Sequence, residues 1–393
     1  MNANVQSDND FSLSEGGPFH DAMVKMRLQN KQLKLAVLGL CLTWLPLIVI
    51  CTIEGTLYSN TQLPFLKDVG MQARVLVALP MLIMIKFVID NKVTSVAKYL
   101  AGALMTPEEG QKILNTAFRR AKKMTSSAFT EIILLLIVLG ATISFVRGGA
   151  YAALGSGTTS WMMHTENERQ MLSGAGYWAI FISIPLFQFF LLRWLWRYIV
   201  WMLLLFRLSK SKLNLLPTHA DGAGGLGVIM LAQRSFNLIF VAGSVVLSGQ
   251  LIEQLIQNPN SYNSIRSIVI AYIVTCIVFI LSPLLFFMGK LFKTKNDGLL
   301  RLSHLGASMS RKFESEWIND LSINRRMEQQ KGDPSMLYDY SGIYGQLQKL
   351  RPVPITLGDI IGLALTLFAP FIPILFIHFS VGELLQKIAG LLV

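Results

Sequence analysis

The chain has 393 residues, a net charge of +12 and an isoelectric point near 9.6; hydrophobic residues make up 52% of it, charged ones 15%, and mean hydropathy is +0.49. That balance excludes an ordinary soluble domain. It also argues against a nucleic-acid binder, because the basic residues gather in particular loops between apolar runs, as orientation in a bilayer requires.

Residues 1–24 are polar, lack the apolar core of a signal peptide and are expected to be disordered. A helix needs about 20 apolar residues to cross hydrocarbon. Seven stretches meet that criterion: 35–53, 73–89, 129–146, 177–198, 228–252, 267–289 and 357–379. The expected fold is all-α, a polytopic transmembrane helical bundle over residues 25–380 with a short tail at 381–393.

Basic residues supply the orientation. Lys25, Arg27, Lys31 and Lys34 precede the first stretch, and Lys92, Lys98, Lys112, Arg119, Arg120, Lys122 and Lys123 separate the second from the third. Arg207, Lys210 and Lys212 follow the fourth, and a long series from Lys290 to Arg351 separates the sixth from the seventh. The alternate loops are poor in Lys and Arg, which places the N-terminus in the cytoplasm and the C-terminus outside. Pro370 and Pro373 leave a re-entrant hairpin open as an alternative for the last stretch.

Two cytoplasmic segments, 91–128 and 290–355, are long enough to hold helices. In the first, Thr106-Pro107-Glu108-Glu109 reads as a capping-box start. In the second, Leu299, Leu302, Leu305, Met309, Phe313, Trp317 and Leu321 recur every three or four residues. They mark an amphipathic helix that packs on the other cytoplasmic segments or lies on anionic lipid, with packing the expected outcome. On the other side, the loop 147–176 carries Trp161, His164, Glu166 and Glu168 and reads as a solvated loop, since one histidine beside two acids is too small a ligand set for a metal. Cys41, Cys51 and Cys276 sit in apolar runs, so no disulfide framework, metal site or cofactor is expected.

The stretch from Pro217 to Gly227 is the least ordinary. Gly222-Ala223-Gly224-Gly225-Leu226-Gly227 satisfies G-x-G-x-x-G, yet it follows a transmembrane helix rather than a strand, and no Lys-Ser or Lys-Thr makes it a Walker A loop. Two readings stand. A glycine loop opening a helix offers unpaired amides and the positive end of a helix dipole to phosphate or carboxylate. Alternatively, Asp221 caps the fifth stretch and the glycines permit close helix packing.

Ionic residues concentrate in the cytoplasmic half: Lys86, Asp90, Glu131, Asp359, Arg193 and Arg197. Arg234 lies about 12 Å into the fifth stretch if the helix begins near Leu226 and rises 1.5 Å per residue. Buried charge is costly and faces a partner or a wet cavity. Arg193-Trp194-Leu195-Trp196-Arg197-Tyr198 also fits an interfacial belt of snorkelling arginines, and Lys86 and Asp90, four apart, fit an ion pair. Arg234, between Gln233 and Ser235, is the strongest candidate for lining a polar cavity. The candidate ligand-binding residues are Arg193, Arg197, His219, Asp221, Gly222, Gly224, Gly225 and Arg234, with no catalytic or metal-binding residue assigned. Pro46, Pro80, Pro185, Pro283 and the pair Pro370 and Pro373 interrupt five stretches, as broken helices do in transporters.

Glu15-Gly16-Gly17-Pro18, Thr43-Trp44-Leu45-Pro46-Leu47, the run from Ala73 to Pro80, the central stretch and Arg351-Pro352-Val353-Pro354 together carry a resemblance. The chain resembles a family of bacterial polytopic inner-membrane proteins marked by His-x-Asp-x-x-Gly-Gly-Leu. In such relatives a proline stands between the histidine and the aspartate, where this chain has Ala220. The resemblance implies a bacterial inner membrane and says nothing of substrate. The functional expectation is a transporter or channel with a cytoplasm-facing polar cavity for an anionic solute or lipid headgroup. The alternative is a membrane scaffold or sensor that recruits a protein partner through its cytoplasmic helices or acts as a homo-oligomer. An enzyme using His219 and Asp221 as an acid/base pair on a lipid phosphate is the least expected.

Overall fold

Backbone amides inside hydrocarbon have no water to bond, so an apolar run of this length must satisfy them within a helix. The computed structural model describes residues 16–28, 31–58, 61–105, 107–148, 160–166, 169–318 and 335–378. Among them, seven helices are long and apolar enough to cross a membrane: span 1 (Gln32–Ile53), span 2 (Val69–Leu100), span 3 (Ala128–Arg147), span 4 (Gly174–Lys210), span 5 (Ile229–Gln257), span 6 (Pro259–Phe313) and span 7 (Leu357–His378). Each expected stretch matches one of them, with Val228 one residue ahead of span 5 and residue 379 outside the described residues, and the chain is an all-α polytopic membrane protein.

The helices outrun the apolar runs. Hydropathy drops where the chain leaves hydrocarbon, but a helix continues until its backbone loses partners. Span 6 therefore carries on through the amphipathic stripe to Phe313, and what reads as a separate cytoplasmic helix is its extension. Helix α1 (Pro18–Lys25) precedes the spans, α2 (Pro107–Thr125) lies between spans 2 and 3, and α3 (Ser335–Gln348) lies between spans 6 and 7. Thr106, the expected cap of α2, lies outside the described residues. The extension of span 6 packs on α3, where the Tyr340 hydroxyl donates to the Leu302 carbonyl at 2.7 Å and its ring covers Gly306. The packing reading of the stripe holds there, although Leu305 stays exposed and the Trp317 side chain and Leu321 lie outside the described residues.

One expectation is corrected, and one alternative is set aside. The segment expected to be disordered through residue 24 is ordered from Gly16, because α1 buries Met23 against the bundle. The re-entrant alternative for the last stretch is not adopted. Span 7 follows span 5 in the same direction, from Arg234 beside Asp359, through an Asn237 to Thr366 hydrogen bond of 2.6 Å, to Ser248 donating to the Pro370 carbonyl at 2.6 Å.

Proline leaves the carbonyl four residues earlier without its N–H partner, and each span absorbs that defect locally. Pro80 follows a π turn at Ala73–Ala78 and Pro185 follows another at Ala179–Ser183. Pro283 and Pro370 sit in 3-10 turns, Ser282–Phe287 and Ala369–Phe371. Span 5 is central, with Ile229, Ala232, Phe236 and Ala242 fully buried, and it packs against spans 2, 4, 6 and 7. Spans 2 and 5 come closest at Gly249, where a Cβ would stand 2.9 Å from the Gly70 Cα, a contact only glycine allows.

One end of the bundle holds the loop 217–227. The other carries a hairpin, β1 (Met163–Glu166) antiparallel to β2 (Arg169–Leu172), so the loop expected to be solvated is partly ordered. Trp161 beside it is fully buried, edge-on to Phe65 at 5.0 Å.

Candidate functional site

At the glycine-loop end, Asp221 organises its own loop. Its carboxylate accepts the N–H groups of Ala223 at 2.8 Å, Gly225 at 3.1 Å and Gly227 at 2.9 Å, and His219 Nδ1 stands 2.8 Å from Oδ1. Partial burial pushes this carboxyl up, but the three amides and His219 outweigh burial and hold it below the ordinary aspartate range. Gly225 adopts φ 95°, and a Cβ there would meet Leu104 at 2.8 Å. The amides an external anion would need are thus already bonded to an internal one.

Arg193 and Arg197 lie together on span 4, 6% and 3% exposed. Arg193 Nε bonds Glu131 at 2.8 Å, and the other Glu131 oxygen accepts the Phe19 N–H at 2.8 Å. The Phe19 ring lies 4.6 Å from the Arg193 guanidinium, and Arg197 covers the Trp194 ring at 4.7 Å. The interfacial-belt reading is corrected: these arginines do not snorkel to water, since a carboxylate and two ring faces offset the cost of their burial. Arg234 pairs with Asp359, which also closes a capping box with Thr356 at the start of span 7, and its own side chain is 57% exposed. The expected site residues therefore form three separate groups: the loop residues His219, Asp221, Gly222, Gly224 and Gly225; the pair Arg193 and Arg197; and Arg234 with Asp359.

A cavity of about 440 Å³, largely apolar but with several polar side chains in its wall, lies at the opposite, hairpin end. Asp68, Arg74, Thr142, Gln188, Gln250 and Glu253 face it, with Phe145, Ile180 and Ile184 in its apolar wall. Its construction follows from the sequence. The π turns before Pro80 and Pro185 carry Arg74 and Ile180, and the close approach of Gly249 to Gly70 brings Glu253 onto the first turn of span 2. Glu253 accepts the Gly70 N–H at 2.7 Å. Asp68 caps the same helix by accepting the Met71 N–H at 2.5 Å and takes the Trp161 Nε1 proton at 2.9 Å with its other oxygen.

Two groups in the wall lack protein partners suited to them. Among the described residues, the one hydrogen bond of the Arg74 guanidinium is to the Met71 sulfur at 3.9 Å, and the buried Gln188 Oε1 has no partner. Gln188 is about 21 Å along span 4 from Gly174, at 1.5 Å per residue, so the cavity reaches deep into the bundle. A second cavity of about 510 Å³, bounded by Gln62, Lys67 and Gln257, shares Glu253 as a wall.

Composition gives Arg74 and Glu253 only as charges near a span end. The signal that could have found them is positional: Arg74 lies six residues before Pro80, and Glu253 lies four after Gly249 on the same helix face. Among the described residues no group of three or more His, Cys, Asp or Glu side chains is placed to hold a metal. No protein-family model matches the chain, and no curated protein or solved structure matches it.

Proposed function

We propose that this multi-pass membrane protein moves a small polar solute across its membrane, with the hairpin-end cavity as the chamber that receives it. The observation that carries this reading is the presence of under-bonded polar groups, Arg74 and Gln188, facing a hollow inside a membrane-spanning body. Leaving such a group unsatisfied costs about 1–3 kcal/mol, more for a charge, which a bound solute offsets.

We read the N-terminus as cytoplasmic from the loop charges and take the membrane to be a bacterial inner one from the family resemblance. The chamber then opens to the outer side, opposite to the cytoplasm-facing hollow expected from the distribution of intramembrane charge. Five residues beyond Gln188 on span 4, the Arg193–Glu131 pair forms the inner closure, with α1 fastened over it through Phe19.

Reconstitution tests the reading. In a chain with Cys41, Cys51 and Cys276 replaced by serine, Gln188→Cys is exposed to a membrane-impermeant thiol reagent. Uptake of a labelled pool of amino acids, sugars and organic acids into proteoliposomes is measured before and after. Labelling from the hairpin side, with loss of uptake of one solute class, is the expected result. A residue 188 that is unreactive from both sides, or uptake that survives complete labelling, overturns it.

A further inference from the structure

Resting on that reading, we propose that the solute is a small zwitterion, its carboxylate held by Arg74 and its ammonium by Glu253, with an apolar body between them. The wall carries one guanidinium and two carboxyl groups from different elements: Arg74 on span 2, Asp68 just before that span and Glu253 on span 5. Their commitments differ. Asp68 spends one oxygen on the Met71 N–H and the other on Trp161. Glu253 spends one oxygen on Gly70 and stands within hydrogen-bonding reach of Asp68. Arg74 has no oxygen acceptor among the described residues, although Asp68 and Glu253 are near enough for their charges to act on it.

That arrangement discriminates among ligands. A plain anion that reached Arg74 would face the Asp68 carboxylate, and a plain cation that reached Glu253 would face the guanidinium. A zwitterion satisfies both walls: its carboxylate matches the planar fork of Arg74, and its ammonium separates the Asp68 and Glu253 carboxyls. Phe145, Ile180 and Ile184 give the rest of the molecule an apolar face, beside the polar Thr142, Gln188 and Gln250. A volume of about 440 Å³ suits a solute of amino-acid size. The adjoining cavity supplies the approach, with Lys67 at its wall to meet the carboxylate and Glu253 as the shared partition.

The test is protection of Gln188→Cys from the thiol reagent. The probes are L-leucine, L-phenylalanine and 6-aminohexanoate, each beside its des-amino acid and its decarboxylated amine. At about ten times its Kd, at least one zwitterion slows labelling about tenfold, and its two singly charged analogues do not. Arg74→Gln and Glu253→Gln each weaken that protection by about tenfold to a hundredfold, in protein whose gel-filtration profile is unchanged. A singly charged analogue that protects as well as its zwitterion, or a residue 188 that is reactive but protected by none of the zwitterions, overturns the charge assignment and leaves the chamber intact. An unreactive residue 188 instead removes the chamber itself. The probe panel needs no substitution at Arg74 or Glu253, so the proposal stays refutable even where a charge substitution fails to fold.

Discussion

Arg351 donates through Nη2 to the carbonyl oxygen of Asp221 at 2.5 Å, joining two residues 130 positions apart. Its main-chain N–H bonds the Gly222 carbonyl at 2.9 Å, and Nη1 reaches the Ile355 carbonyl at 3.1 Å. The entry to span 7 and the entry to span 5 are thus one joint, with Asp221 gathering amides on its side chain while its backbone is held from outside. The glycine loop and the Arg351-Pro352-Val353-Pro354 segment thus share one structural task.

The Asp221 carboxylate is expected to stabilise the fold through charge-assisted bonds. Asp221→Asn keeps one acceptor oxygen but loses the charge, and should lower stability by about 2 kcal/mol at neutral pH. The folded carboxyl titrates below its unfolded value of about 3.9, so the unfolded chain binds the proton first. The contribution is complete above about pH 4 and vanishes as pH falls through the folded pKa. Thermal unfolding in detergent should show wild type and Asp221→Asn converging in acid. Equal stability of the two at pH 7 would mean that the amides are satisfied without the charge.

Two glycines of this loop should respond differently to alanine. Gly222 has φ 57° and open surroundings: a Cβ added there would find its nearest neighbours on the Arg351 side chain, 3.8 Å away. Gly222→Ala therefore costs about 1–2 kcal/mol of left-handed strain and little else. Gly225 combines φ 95° with the Leu104 side chain at 2.8 Å, which adds a displacement of buried packing, and Gly225→Ala costs about 1–3 kcal/mol beyond that. Denaturation midpoints rank the two, and the reverse order refutes this account of the loop.

The seven spans are legible in the sequence because a bilayer imposes length and apolarity on each crossing independently of its neighbours. Sites depend on neighbours, and there local pattern misleads. Arg193 and Arg197 have the local pattern of an interfacial belt, and only the arrival of Glu131 and of Phe19 from a separate helix makes their burial tolerable. Arg234 has the surroundings of a cavity residue, and its partner Asp359 lies 125 residues away. The hairpin-end cavity depends on two π turns and a glycine contact between spans, none of which has a period that hydropathy detects. Asp221 reads in the sequence as the cap of span 5, and that reading is corrected: the helix starts at Ile229 after Val228 with no side-chain cap, and the Asp221 carboxylate bonds the amides of Ala223, Gly225 and Gly227 inside the loop.

Glu131 serves two elements, and a double-mutant cycle should register both. Breaking the buried pair by Glu131→Ala alone costs about 3–5 kcal/mol, because Arg193 is left charged and buried. Glu131→Ala with Arg193→Ala should cost less than the sum of the single changes by more than about 1 kcal/mol. Loss of the Phe19 N–H acceptor also loosens α1, so trypsin should cut at Lys25 and Arg27 faster in Glu131→Ala than in wild type. Additive energies would show that the 2.8 Å contact does not couple the two residues, and unchanged cleavage would show that α1 is held by its apolar side chains alone.

Pro80 and Pro185 are expected to matter through the turns they impose. Without an N–H at residue 80 or 185, the carbonyls of Leu76 and Phe181 lose their α-helical partners, and the π turns at Ala73–Ala78 and Ala179–Ser183 take up the mismatch. Each π turn holds an added residue, which rotates the chain on one side of it by about 100° relative to a regular helix. Pro185→Ala restores the donor and lets the turn relax to α-helix. Gln188 and Ile180 then no longer share one wall, while stability holds or rises by up to about 3 kcal/mol. The expected signature is solute uptake lost in a protein that unfolds no earlier than wild type. Pro80→Ala should do the same through Arg74. Full uptake in both variants would mean that packing against span 5, rather than proline, sets the turns, and the cavity would then owe its shape to Gly70 and Gly249.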